Sequence, residues 1–207
     1  MRIFLGLLLV TQVLAKEELI DRIAVVCGTT VIKDSDIDRD IRVTDFLNAQ
    51  PLVLNQAARR RTAAKLLDQA LLKQEIRIGG YEVATTQDAN SQLATLARET
   101  AAFGARLSKY GIDENDLREH LRWQLTVLRF IDARFKPAAV IEDAALNTYY
   151  TEHKTTLKRQ HPNDTDEKLH ADARDILVGE EVNRLLFSWL DEQRKQTKVT
   201  FLEDGLA

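Results

Sequence analysis

Hydrophobic residues near the start of the chain form two strand-like runs followed by a helical pattern. Ile20–Cys27 and Val31–Lys33 are rich in β-branched residues, and Gly28–Thr30 separates them. Because glycine gives the backbone freedom that a tight turn needs, the pattern predicts a β-hairpin. Asp34–Asp36 then supplies capping and acidic residues for the start of a helix that reaches about Asn48.

Most of the remaining chain has apolar residues at helical spacing. The predicted helices run from Gln56 to Ile78, from the Thr85 or Thr86 cap to about Thr100, from Phe103 to Tyr110, from the Asp113 cap to about Phe135, from Glu142 or Asp143 through His153, and from the Thr165 cap to about Gln196. One predicted stripe in the Gln56–Ile78 helix is Leu67, Leu71, Gln74 and Ile78. The helix that follows Asp113 has two stripes, one of Leu117, Leu121, Leu125 and Leu128 and one of Trp123, Val127, Phe130 and Ile131.

A last strand-like segment, Lys198–Leu202, follows the longest helix. A two-stranded hairpin alone is marginally stable in water, so this segment is expected to add a third strand beside it. The predicted fold is therefore mainly α, a multi-helix lobe with a small antiparallel β element formed by the N-terminal hairpin and the C-terminal strand. Its division is a helical lobe at about 34–157 and a closing helix and strand at about 165–203.

Residues 1–15 have the pattern of a cleavable export signal. Arg2 precedes the mostly apolar run Ile3–Val13, and Ala15 ends a site that a signal peptidase accepts. The run is too short to span a bilayer as a helix. We therefore expect cleavage after about Ala15 and a mature chain, residues 16–207, that forms a single domain outside the cytoplasm without stable membrane insertion.

Composition narrows the class of protein further. The 207 residues are 44% hydrophobic and 29% charged, with a net charge of −3, which is typical of a globular protein and argues against a nucleic-acid-binding chain. Cys27, the single cysteine, leaves no internal disulfide in an exported protein, and its β-branched surroundings favour a small buried hydrophobe. A reactive thiol or an intermolecular bridge remains the alternative.

The sequence contains no motif that predicts catalysis or a cofactor. Asp34, Asp36, Asp38 and Asp40 alternate as in a calcium loop, but Arg39 occupies the position that requires glycine, so helix capping is the better interpretation. No histidine pair has the spacing of a helical zinc site, and neither a nucleophile elbow nor a phosphate-binding glycine loop is present. No catalytic, metal or cofactor residue is therefore predicted.

Apolar helix surface is the remaining signal for function. The helix after Asp113 carries more apolar positions than one contact face needs, and aromatic residues recur later in the chain. These residues either fill the core or line a groove for extended apolar polypeptide segments. The candidate client-binding residues are Leu121, Trp123, Val127, Phe130, Tyr149, Tyr150 and Trp189.

The opening and closing segments resemble those of SurA-like periplasmic chaperones and foldases. The opening reads IDRIAVVCGTTVIKDSDIDRDI at Ile20–Ile41, similar to the family form IDRIVAVVN…VI…SDLD, and the end reads FSWLDEQRKQTKVTF. Between them, LLDQALLKQEIRIGGYEVA, LSKYGIDENDLREHLRWQLTVLRFID and the helix with Tyr149-Tyr150 resemble the helices of the family's chaperone lobe. The resemblance covers about residues 19–203 and implies a lobe that binds unfolded polypeptides.

The chain departs from that family pattern where a parvulin-type prolyl isomerase domain usually lies. Only Lys154–Lys168 separates the Tyr149-Tyr150 helix from the closing helix, and these residues show no strand pattern. The resemblance therefore implies the chaperone module without isomerase activity. The short linker also allows a homodimer in which the C-terminal helix and strand are swapped.

Two functions follow from these observations. The first is an ATP-independent chaperone for unfolded outer-membrane or secreted polypeptides. The alternative is an interaction or assembly subunit that binds one specific folded partner with the same lobe.

Overall fold

Helices account for most of the protein. The computed structural model describes residues 21–202 and Leu206; the expected export signal lies outside them. The strands are β1 (Ile23–Cys27), β2 (Thr30–Lys33) and β3 (Val199–Phe201). The helices are α1 (Asp34–Leu47), α2 (Gln56–Ile78), α3 (Thr86–Glu99), α4 (Phe103–Tyr110), α5 (Glu114–Arg134), α6 (Asp143–Gln160) and α7 (Asp166–Gln196), with a 3-10 turn at Lys136–Ala138. The prediction of a mainly α protein with a small antiparallel sheet is confirmed.

The sheet joins the two ends of the described chain in the order β2-β1-β3, with both pairs antiparallel. Gly28 has a φ of +57°, which glycine adopts at little cost and which allows the tight turn between β1 and β2. Val26 lies opposite Thr200, so β3 completes the hairpin as the sequence predicted. A register shift between Ile23 and Val25 marks a bulge in β1.

One face of the sheet packs on α1 and α2. Ala24, Val25 and Ile37 are fully buried there, and Leu206 contributes to the same cluster. Cys27 is also buried, and desolvation raises the pKa of its thiol, with the nearby Asp68 carboxylate adding to the effect. The cysteine therefore behaves as the small buried hydrophobe that the sequence favoured.

The first stripe of α5 packs into a cluster with α1, α3 and α4. Leu117 and Leu121 are buried beside Phe46, whose ring meets the edge of Tyr110 at 5.6 Å between centroids. The Tyr110 hydroxyl donates to the carbonyl of Gln50 at 2.6 Å. These contacts fix α5 against α1, which forms one wall of the site described below.

The second stripe of α5 faces α2 and α7. Phe130 is fully buried among Tyr81, Phe135 and Trp189. The guanidinium of Arg194 on α7 donates to both carboxylate oxygens of Asp68 on α2 at 2.7 Å. The two faces of α5 thus explain its excess of apolar residues: most of them belong to two separate cores.

Helix α6 packs mainly against the first half of α7 and forms a helical hairpin, here called the arm (Asp143–Leu177). Leu146 and Leu169 are buried at the interface of its two helices. At 31 residues, α7 is about 46 Å long, so its second half reaches back to α2 and to β3. The structure describes one chain, and the swapped dimer stays a prediction.

Two stripe assignments were wrong in detail. Ile78 is 71% exposed and Gln74 is exposed, whereas Leu72 and Ile76 are buried. Near the C-terminus of α2 a different face of the helix is buried, because this part of α2 packs in the cluster that includes α5 and α7. Leu128 on α5, which the sequence placed in the first stripe, is 59% exposed.

Candidate functional site

A groove of about 300 Å³ lies where β2, α1, α2 and α5 meet. Its walls come from residues 30–32 of β2, 36–43 of α1, 66–73 of α2 and 115–123 of α5. These segments are far apart in the sequence, and the two α5 clusters, together with the cluster between the sheet, α1 and α2, bring them together. The volume is at the lower end of the range for ligand pockets.

The groove has an apolar floor. Val43 and Ala70 are buried beneath it, and Leu66 and Trp123 are half-buried at its sides. Val31 on β2 is 43% exposed and forms the outer end of this apolar surface. An apolar side chain that entered the groove would therefore lose contact with water without meeting an unpaired buried side-chain N or O atom, because none is present among the described residues.

Charged side chains form the rim. Carboxylates from α1 and α5 outnumber the cations on the lining: Asp36, Asp40, Asp116 and Glu119 face Arg39 and Lys73. Arg39 Nε lies 3.3 Å from a carboxylate oxygen of Asp116, so it links α1 to α5 across the rim. The ammonium of Lys73 lies 5.1 Å from the centre of the Trp123 ring, within the range of a cation–π contact.

His120 lies in the wall of the groove, with only 12% of its side chain exposed. Its Nδ1 is 4.0 Å from a carboxylate oxygen of Asp40, which also accepts from the Lys65 ammonium at 2.9 and 3.1 Å. Burial lowers the pKa of His120; the Asp40 carboxylate opposes this shift and Lys65 adds to it. The imidazole is therefore biased toward its neutral form.

Of the seven candidate client-binding residues, Trp123 lines this groove. Leu121 and Phe130 are buried in the two clusters on either side of α5 and have no surface for a client in this conformation. Val127 and Trp189 are half-buried against the cluster around Phe130. These four side chains pack in the hydrophobic clusters of the protein, and their role in client binding stays a prediction.

Tyr149 and Tyr150 lie on the arm, away from the groove-lining segments. The Tyr149 ring stacks on His153 at 4.1 Å, and Tyr150 meets the edge of His170 at 5.0 Å. Both rings are half-buried against the leucines between α6 and α7. Their contacts hold the arm together, and the structure does not bring them near Trp123.

Sequence reasoning did not find most of the groove. Val31, Leu66 and Lys73 line it, but nothing in their local sequence distinguishes them from other residues of a strand edge or a helix side. The only available signal was the surplus of apolar positions on α5. That surplus indicated α5, and of the candidates on this helix Trp123 lines the groove.

The fold and the groove define a class of protein: a helical lobe, closed by a small sheet, with a partly apolar surface groove. None of the helices in the described part of the chain is long and apolar enough to cross a membrane. The sequence is 31% identical to Chaperone SurA of Colwellia psychrerythraea over 116 residues. This match covers 55% of the chain and 27% of that relative, and it supports a SurA-like N-terminal chaperone region. No protein-family model matches the chain.

Proposed function

We propose that this protein is a periplasmic, ATP-independent chaperone that binds unfolded outer-membrane or secreted polypeptides in the groove beside Trp123. The observation that carries the proposal is the groove itself, which lies within a SurA-like helical lobe. The expected export signal and a single chaperone domain over residues 16–207 are parts of the same proposal.

The composition of the groove suits an extended, unfolded segment better than a small molecule. Its apolar floor supplies a modest burial area, and its charged rim stays in contact with solvent. Burial of one apolar side chain contributes about 1.5–3 kcal/mol, so a segment would bind weakly and leave without an energy source. A long client would gain total affinity by repeated binding along its length.

Prolyl isomerase activity is not part of the proposal. Helix α6 ends at Gln160 and α7 begins at Asp166, so a connection of a few residues takes the place where related proteins carry a separate isomerase domain. The buried contacts of Leu157 and Leu169 continue the arm close to this turn. A proline-containing peptide incubated with the protein should isomerise at its background rate, and a clear acceleration would contradict this part of the proposal.

The chaperone activity can be tested on a matched pair of surface valines. Val31 lines the groove and is 43% exposed, whereas Val53, in the α1–α2 connection, is 44% exposed and does not line it. We expect the full chain to slow the aggregation of an unfolded outer-membrane protein at stoichiometric amounts. The Val31→Lys variant should require roughly tenfold more protein for the same effect, because an ammonium at this site disfavours burial of an apolar client.

The Val53→Lys variant should protect the client as well as the native chain does. Equal loss in both lysine variants, or in neither, would contradict binding in the groove. Absence of protection by the native chain, together with stoichiometric capture of one folded periplasmic protein, would favour the alternative of a dedicated assembly subunit.

A further inference from the structure

The outer edge of β2 is open where it meets the groove. Gly28 N–H donates to the Lys198 carbonyl, and Leu202 N–H donates to the Ala24 carbonyl. The backbone N–H and carbonyl groups of the even-numbered residues of β1 therefore face β3. Backbone groups alternate in direction along a strand, and those of Val25 and Cys27 therefore face β2. Their partners are Ile32 and Thr30.

It follows that the backbone N–H and carbonyl of Val31 point away from β1. Val31 lies opposite Val26, in a pair that does not exchange hydrogen bonds. The next outward N–H, that of Lys33, donates to the Asp36 carboxylate at 3.0 Å. The open edge is thus one residue long, and within the described chain no hydrogen bond joins Val31 to a group outside the hairpin.

The groove continues directly from this edge. Thr30, Val31 and Ile32 line it together with Ala70 and Trp123. In an added strand, successive side chains point to opposite faces, so every second residue could face the apolar floor. The remaining side chains would face the solvent and the rim.

The charged side chains of the rim are largely paired with one another. Three of the four rim carboxylates each lie within salt-bridge distance of a cation: Asp116 of Arg39, Asp40 of Lys65 and Glu119 of Arg122. The rim therefore presents no large excess of either charge, and the open edge and the apolar floor are the features that an entering segment would contact.

We propose that the Val31 edge and the groove together bind an extended polypeptide segment as an added β-strand, with alternating apolar side chains. This proposal rests on the chaperone function proposed above and names the class of client segment and its mode of binding. The two backbone hydrogen bonds that Val31 offers do not depend on side chains, so many client sequences can bind. The shortness of the edge limits pairing between copies of the protein itself.

The test uses a fluorescent peptide that alternates valine and threonine and contains one lysine, and its binding to the full chain is followed by anisotropy. Val31→Pro removes the outward N–H without removing a bond to β1. We expect it to weaken binding roughly tenfold. Val199→Pro makes the same change at the opposite edge of the sheet, where the N–H also points outward, and should leave binding unchanged.

A second measurement keeps the native protein and changes the peptide. Methylation of the one backbone nitrogen that pairs with Val31 should weaken binding about as much as Val31→Pro does, and a scan of methylated positions should find such a nitrogen. In the native protein, the Val31 amide should exchange with solvent more slowly when the peptide is bound.

Insensitivity to every methylated position, or unchanged exchange at Val31, would overturn the proposed strand addition. In that case, continued protection of an unfolded outer-membrane protein would leave the chaperone function standing. Loss of that protection in the native chain would instead overturn the function on which the proposal rests.

Discussion

Phe130 is the residue around which the aromatic side chains of the main core are arranged. Its ring lies 4.9 Å from that of Tyr81, 5.6 Å from Phe135 and 6.1 Å from Trp189. These contacts join α5 to the α2–α3 connection, to the 3-10 turn region and to α7. The position was predicted as apolar, but its place in the core depends on residues distant in sequence, which local patterns do not reveal.

Replacement of Phe130 by alanine should lower the free energy of unfolding by about 3–5 kcal/mol, because it removes a buried ring and leaves a cavity. Urea denaturation followed by circular dichroism measures this change. Leu128→Ala is the control on the same helix, since Leu128 is 59% exposed and should change the value by less than about 0.5 kcal/mol. A similar loss of unfolding free energy in both variants would contradict the difference in burial between Phe130 and Leu128.

His120 makes the stability of the protein depend on pH. Its pKa in the folded state is lowered from the ordinary 6.5, chiefly by burial, so the unfolded chain takes up a proton first as the pH falls. The free energy of unfolding should therefore decrease as the pH drops below about 6.5. The groups that face the imidazole are Asp40 of α1, whose carboxylate raises the pKa of His120, and Lys65 of α2, whose ammonium lowers it.

The His120→Asn variant should lose this part of the pH dependence. Urea denaturation at about pH 7.5 and about pH 5.5 should show a smaller difference in the variant than in the native protein. The carboxylates with lowered pKa values, such as Asp88 and Asp21, lose their stabilising effect only at more acidic pH. The same difference in both proteins would show that His120 is not the group responsible.

At the scale of elements, local signals defined most of the helices. The capping box of Thr85 and Asp88 and that of Asp113 and Asp116 are both present, and they begin α3 and α5 at the predicted residues. Gly111, with a φ of +64°, ends α4 after Tyr110. These boundaries were predictable because the groups that determine them lie within a few residues of one another. The face that each helix buries depends on its neighbours, and this is why Ile78 was misplaced.

The arm is expected to unfold more independently of the rest of the protein than the other elements do, because α6 packs mainly on α7. Leu146→Ala should weaken the arm by about 2–5 kcal/mol through the cavity that it leaves. Amide hydrogen exchange should become faster in α6 and in the first half of α7, while β1 and α5 keep their protection. Thr151→Ala, an exposed change on the same helix, should have little effect. Faster exchange throughout the chain would contradict the independence of the arm.

At the scale of the whole molecule, the last described strand pairs with the first, so one small sheet joins the two ends of the described chain. The long α7 brings β3 back to β1, and one edge strand of the sheet, β2, lies beside the groove. The third strand was predictable, because a hairpin needs a partner and a β-rich segment was available at residues 198–202. The groove was not, since its lining comes from four elements whose mutual packing no short pattern encodes.

The central claim is that unfolded polypeptides bind in this groove, and photo-crosslinking tests it most directly. A benzophenone amino acid placed at Lys73 would lie on the lining of the groove, and one placed at Leu128 would lie on an exposed part of α5 outside it. With an unfolded outer-membrane protein as client, we predict strong crosslinking from position 73, weak crosslinking from position 128, and competition by the unlabelled lysine peptide. Equal crosslinking from both positions, or none from position 73, would contradict the claim.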